Sequence, residues 1–194
     1  RTDFDGSYSW DTEQLVIDLE LLGRRVEIMN ESGDNASFQT EGGEIIWTAD
    51  DATQAELDQY IFQNRIYEWT EQWAPQISNT WTRSKVNVNI DDSCNAFFDG
   101  ELNFYQAGGG CNNTGRIADV SYHEWGHGFH YYNLLSGEYD GSMSEGISDS
   151  VAFFQTNDPK IAPYFGTNGG HIREVERNYS YPDDIVNEVH QDGL

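Results

Sequence analysis

Residues 119–132, DVSYHEWGHGFHYY, place His123 and His127 four apart around Glu124, with His130 three residues further on. On a helix, residues four apart lie about 40° apart in azimuth and about 6 Å apart in rise, so both imidazoles can address one ion. Glu124 is rotated by about 100° from His123 and cannot share that vertex. It can reach a water on the metal and act as general base, which is the chemistry of zinc-assisted hydrolysis. A catalytic zinc takes a third protein ligand and leaves its fourth position to water. His130 falls on the same face but about 10 Å along the axis from His123, too far to share one ion with both. It is expected to pack or hydrogen-bond behind the site.

The better third ligand is Glu145 in SMSEGISDSVAFF, a stretch that reads as a second helix after a short connection. Asp149 follows four residues later on the same face and could accept the outer N–H of a metal-binding histidine, fixing its tautomer. The serines of GSMS are expected to cap this helix. The bland alternative is a helix-start glutamate followed by a surface aspartate.

These residues need elements to hold them. RIADVSYHEWGHGFHYYNLLSG is expected to be a helix ending near Gly137, with the following helix stopping before Pro159. DDATQAELDQYIFQNRIYEWTEQWAP reads as an amphipathic helix of roughly twenty residues, with inward groups at Leu57, Tyr60, Ile61, Tyr67 and Trp69 and Pro75 as its stop. SKVNVNI and GELNFYQA read as strands. Residues 1–49 are expected to form a small β-rich N-terminal segment, including the run GGEIIWTA, ahead of a core spanning 50–194. The cluster Asp3-x-Asp5-Gly6 reads as a hairpin turn rather than a calcium loop.

Composition bounds the rest. The 194 residues carry a formal charge of -24 with only two lysines, Lys85 and Lys160, which argues against nucleic acid and anionic lipid as partners. An apolar fraction of 37% with 14% aromatics is that of a folded domain, and no apolar run is long enough to span a membrane. Cys94 and Cys111 bracket a probable hairpin and read as one disulfide, which favours a secreted, extracellular or periplasmic protein; a pair of buried free thiols is the alternative. The oligomeric state is not legible beyond an expectation of a monomer.

HEWGH followed by EGISD resembles the gluzincin metallopeptidases, and CNAFFDGELNFY resembles the substrate-side strand of the thermolysin and fungalysin families. RIADVSYHEWGH also fits the way those families lead into the active-site helix. Four ordered features are far more specific than the HExxH pattern alone. The resemblance covers about residues 55–194 and implies an α+β zincin-like core, a twisted sheet backing an active-site helix. It implies His123, His127 and Glu145 as zinc ligands, Glu124 as base and proton shuttle, and Asp149 as the orienting carboxylate. It further implies that Asn95 and the carbonyl of Ala96 bind an extended peptide as an added strand. EVHQDG nominates His190 for the oxyanion, and IREV nominates Arg173 for the substrate carbonyl, with Arg177 as a rival. Val120 falls where those families line an apolar pocket beside the scissile bond. Structural calcium is also implied, compatible with Asp91, Asp92, Asp99 and Asp119.

There are departures from the pattern. His127 and Glu145 stand closer in sequence than in thermolysin, so the tyrosine that helps bind the oxyanion is assigned to Tyr139 by default. The resemblance also implies further C-terminal helices beyond HQDGL. The expected activity is that of a secreted zinc endopeptidase acting on peptides or proteins. A gluzincin aminopeptidase is the second enzyme reading, although DGELN poorly matches the strand that class uses to hold a substrate amine. A catalytically inert zinc-stabilised binding or adhesion module is the non-enzyme reading, but such a site has no need of Glu124.

Overall fold

The computed structural model describes residues 16–41, 44–76, 81–137 and 139–193; the Asp3–Gly6 turn lies outside the described residues. A four-stranded sheet in the order β2 (Val26–Asn30), β4 (Ser84–Ile90), β6 (Leu102–Tyr105), β5 (Ala96–Phe98) forms the centre. β2, β4 and β6 run parallel, and β5 turns back antiparallel to β6 as the edge strand, with Ala96 opposite Phe104. β1 (Ile17–Glu20) and β3 (Ser37–Thr40) pair separately. The N-terminal segment therefore supplies a strand to the central sheet as well as a small sheet of its own. The GGEIIWTA run differs from expectation: residues 44–48 carry no regular structure, and Trp47 packs edge-on against Phe38 with ring centroids 4.7 Å apart.

Helix α1 (Gln54–Trp73) starts at a capping box. Thr53 accepts from the Glu56 amide, and the Glu56 carboxylate accepts from the Thr53 amide and from Ala36 N–H at 2.9 Å. Of the groups expected inward, Tyr67 is fully buried and Leu57, Tyr60 and Trp69 pack against the core, but Ile61 does not, and two glutamines share that face. Gln59 and Gln63 are fully buried while Ile61 is 46% exposed. The buried amides are tolerated because they are bonded: Gln59 Nε2 donates to the Gly115 carbonyl and Gln63 Nε2 to Ser121 Oγ, each at 2.9 Å. Ile66 and Tyr67 from the same helix join Val86, Val88, Leu102, Phe104 and Trp125 in the core.

Helix α2 (Ala118–Asn133) carries the HEWGH motif and ends four residues before Gly137, where Leu134 turns to an extended conformation. Helix α3 (Gly141–Thr156) begins a turn earlier than expected. Its cap is Asp140, whose carboxylate accepts from the Met143 amide at 2.8 Å, and not the serines. Two short strands, β7 (Lys160–Ile161) and β8 (Arg173–Glu174), pair antiparallel, and a four-residue helix α4 (Val189–Asp192) follows.

Two glycines set how closely these helices pack. A Cβ on Gly126 would lie 2.5 Å from Ser148 Cα, so α2 and α3 touch backbone to backbone at that crossing. A Cβ on Gly146 would collide with the Gly193 carbonyl, so α4 lies equally close on α3. Replacing Gly126 by Ala gains about 1 kcal/mol of helix propensity but overpacks a backbone contact, which costs about 1–3 kcal/mol. The overpacking should win, and Gly126→Ala is expected to lower the urea midpoint of the metal-free protein. A raised midpoint would show that the helices are not in contact there.

Candidate active site

The close α2–α3 crossing lays Glu145 across from the two histidines. His123 Nε2 and His127 Nε2 are 3.1 Å apart, Glu145 Oε2 is 3.2 Å from the first, and Glu145 Oε1 is 3.5 Å from the second. Four-coordinate zinc with bonds of about 2.0–2.1 Å holds its ligand atoms about 3.3 Å from one another. Two imidazoles and a carboxylate at these separations fit that ion in both chemistry and spacing. Among the described residues, this is the group of His, Cys, Asp and Glu whose donor atoms converge closely enough to share an ion.

Each histidine is held from behind. His123 Nδ1 lies 2.7 Å from Asp149 Oδ1, and because an ionised carboxylate only accepts, the ring nitrogen is the donor. Arg173 in turn grips Asp149 with Nε at 2.5 Å from Oδ2 and Nη2 at 2.8 Å from Oδ1, and reaches Glu145 at 3.3 Å. Those bonds orient the carboxylates, and Arg173 also lines the cleft toward which the sequence resemblance had it face. Its rival Arg177 also borders the cleft, stacked over the Tyr179 ring. His127 Nδ1 meets a neutral partner, Ser144 Oγ, at 2.8 Å.

The metal corner opens into a cleft of about 840 Å³ that brings together nearly all the residues singled out from sequence. Glu124, Asn95, Ala96, Val120, Tyr139, Arg173 and His190 all line it, while Asp149 stands behind His123. β5 forms one wall, and α4 brings His190 over the other, its Nε2 3.5 Å from Glu145 Oε1. Cys94 and Cys111 are disulfide-bonded, tying the start of the edge strand to the loop after β6. His130 is buried away from the donor atoms and stacks on Tyr139, with centroids 5.0 Å apart. The aspartates considered for calcium do not converge among the described residues. Asp91 accepts from Gln106, Asp92 from the Ser93 amide, Asp99 from Asn103, and Asp119 from the Ala162 amide.

Two participants were missed in the sequence. Ser144 was read only as part of a cap, although it precedes Glu145 and so faces the same crossing. Glu188 accepts from His190 Nδ1 at 2.7 Å, and its acidic side chain two residues before a candidate histidine was the available signal.

Burial and charge tune these groups in opposite directions. Burial pushes the Glu124 carboxyl up to about 7, with His123 opposing and Glu145 reinforcing. Burial works against charge on His123, but the hydrogen bonds it makes to Asp149 and Glu145 prevail and hold its pKa up at about 9. Burial, helped by the charge on His123, takes His127 down to about 4. Glu145 and Asp149 stay below their usual range because hydrogen bonds from His123, and from Arg173 for Asp149, overcome burial.

The fold is an α+β zincin-like arrangement, with a helix-borne His-His-Glu cluster at the mouth of a cleft beside an edge strand. Among solved structures, the precursor of protealysin, a metalloproteinase from Serratia proteamaculans, is similar to it with a TM-score of 0.54 at 17% identity. The match covers 70% of this chain and 44% of that one, so the chain spans less than half the length of its neighbour. No protein-family model matches the chain, and no curated protein matches it significantly.

Metal uptake must displace the proton that His123 holds at neutral pH, whereas His127 has none to lose. Affinity for zinc should therefore climb with pH, by about tenfold per unit until about 9. At pH 8, where Glu124 is already ionised, about one proton should be released per ion. Titration calorimetry in two buffers of different ionisation enthalpy measures this directly; zero release would show that His123 holds no proton for the ion to displace.

Proposed function

We propose that this chain is a zinc-dependent endopeptidase that works in an oxidising, extracytoplasmic compartment. The observation that carries the reading is the convergence of His123, His127 and Glu145 on one point of a cleft that also holds Glu124 and an open sheet edge. Zinc bound there would supply Lewis acidity, polarising the scissile carbonyl and acidifying water.

The chain's own residues would do the rest. Glu124, with a pKa near 7, is matched to taking a proton from the attacking water and passing it to the departing amine. His190, held by Glu188, and Tyr139 are the donors on the cleft side suited to a developing oxyanion. The side of β5 away from β6, unpaired among the described residues, suits a substrate laid down as a further strand against Asn95 and Ala96, where main-chain bonds give affinity without demanding a particular sequence. Val120 borders the same cleft and favours an apolar residue after the scissile bond.

The aminopeptidase reading has less support. The acid it needs is Glu101, which bonds Lys85 and Asn87, each at 2.9 Å, and does not line the cleft. The disulfide supports the oxidising compartment. Thiol titration of denatured protein from its native location should find no free cysteine; two would place it in a reducing compartment.

An internally quenched peptide blocked at both ends should be cleaved by the zinc-loaded chain and spared by the metal-stripped one. Glu124→Gln should lose about 10²–10⁴-fold in kcat while still binding one zinc. Failure of the zinc-loaded chain to cut a panel of such peptides would overturn the reading.

A further inference from the structure

We propose that Ser144 is the residue that orients His127, and that Tyr139 completes this positioning by fixing the direction of the Ser144 hydroxyl. The proposal rests on the reading of His123, His127 and Glu145 as a metal site.

The two histidines differ in what stands behind them. His123 has an anionic partner clamped by an arginine; His127 has a single neutral hydroxyl, buried to 1% exposure. A helical serine ordinarily bonds back to the carbonyl four residues earlier. Ser150 in the same helix does so, bonding the Gly146 carbonyl at 2.7 Å. The Ser144 oxygen is instead 2.8 Å from His127 Nδ1 and 2.5 Å from the Tyr139 hydroxyl.

A direction follows from proton counting. When His127 offers the Nε2 lone pair to an ion, the neutral ring carries its proton on Nδ1 and must donate it to Ser144. Ser144 keeps one proton and one lone pair, either of which serves the 2.5 Å contact with the Tyr139 hydroxyl. Tyr139, which also lines the cleft, thereby pins the Ser144 hydroxyl from its other side. The tautomer required at the metal thus sets the bond from His127 to Ser144, and Tyr139 holds its acceptor in place. His130 supplies the floor: its ring stacks on Tyr139 with planes 24° apart and holds the phenol at this angle.

Cobalt(II) is a suitable probe, because its visible absorption reports the geometry of the ligands around it. The metal-stripped chain would be titrated with cobalt beside Ser144→Ala and Tyr139→Phe. Ser144→Ala should bind about 10–100-fold more weakly, the usual effect of removing a group that orients a metal-binding histidine, with altered band positions or intensities. Tyr139→Phe removes only a hydroxyl from a half-exposed ring, so the fold survives, and the same spectral change should appear in smaller degree. If Ser144→Ala disturbs folding, as thermal melting of the metal-free proteins would show, Tyr139→Phe decides. Binding and spectra identical to the unmutated chain in a folded variant would overturn the positioning role while leaving the metal site standing. No cobalt uptake by the unmutated chain, with His123→Ala indistinguishable from it, would overturn the metal reading and this proposal together.

Discussion

Two helices can approach no closer than the bulkiest groups between them, and at Gly126 there is no side chain to keep α3 away. That contact decides the cleft. With α3 seated against the backbone of α2, Glu145 reaches the imidazole nitrogens, Asp149 falls behind His123 and Ser144 behind His127. A second close approach, at Gly146, brings α4 and His190 to the same place. Four of the groups gathered at this corner, Ser144, Glu145, Asp149 and His190, therefore owe their positions to hydrogen atoms where other residues carry side chains.

Crowding carboxylates into a partly dry cleft has an electrostatic cost that must be met locally. Glu124, Glu145 and Asp149 are all buried or nearly so, in a chain whose formal charge is already -24. Removing one partner from a buried ion pair typically costs about 3–5 kcal/mol, so Arg173, one of only ten basic residues, is committed to this corner. Its bidentate hold leaves Asp149 ionised, which in turn keeps His123 proton-rich until a metal arrives. At Glu124 burial outweighs the nearby charges of His123, Arg173 and His190, and raises its affinity for a proton into the range that a neutral-pH base requires.

Much of this was legible in the residues themselves. The spacing of His123, Glu124 and His127 dictates their faces on a helix, and the alternation in SKVNVNI gives the strand Ser84–Ile90 that is observed. The disulfide followed from two cysteines around a hairpin. What escaped was set by tertiary context. Gln59 and Gln63 face inward because Gly115 and Ser121 offer them partners, information that no periodicity of α1 contains. Asp140 rather than a serine caps α3, since either side chain satisfies the same amides. Ser144 looked like punctuation because its role depends on a helix crossing, and the grip of Arg173 on Asp149 is likewise a contact between elements apart in sequence.

The crossing also divides the molecule by sequence distance. α2 and α3 are consecutive and joined by residues 134–140, so three metal donors and Asp149 all come from one local helical hairpin. The central sheet is different: β2 pairs in parallel with β4 across the whole of α1, Val26 opposite Ser84. Closing a long loop is paid for in chain entropy before its contacts return anything. The corner that would hold the ion is therefore the part of the fold with low contact order, and the sheet that walls its cleft is the part with high contact order.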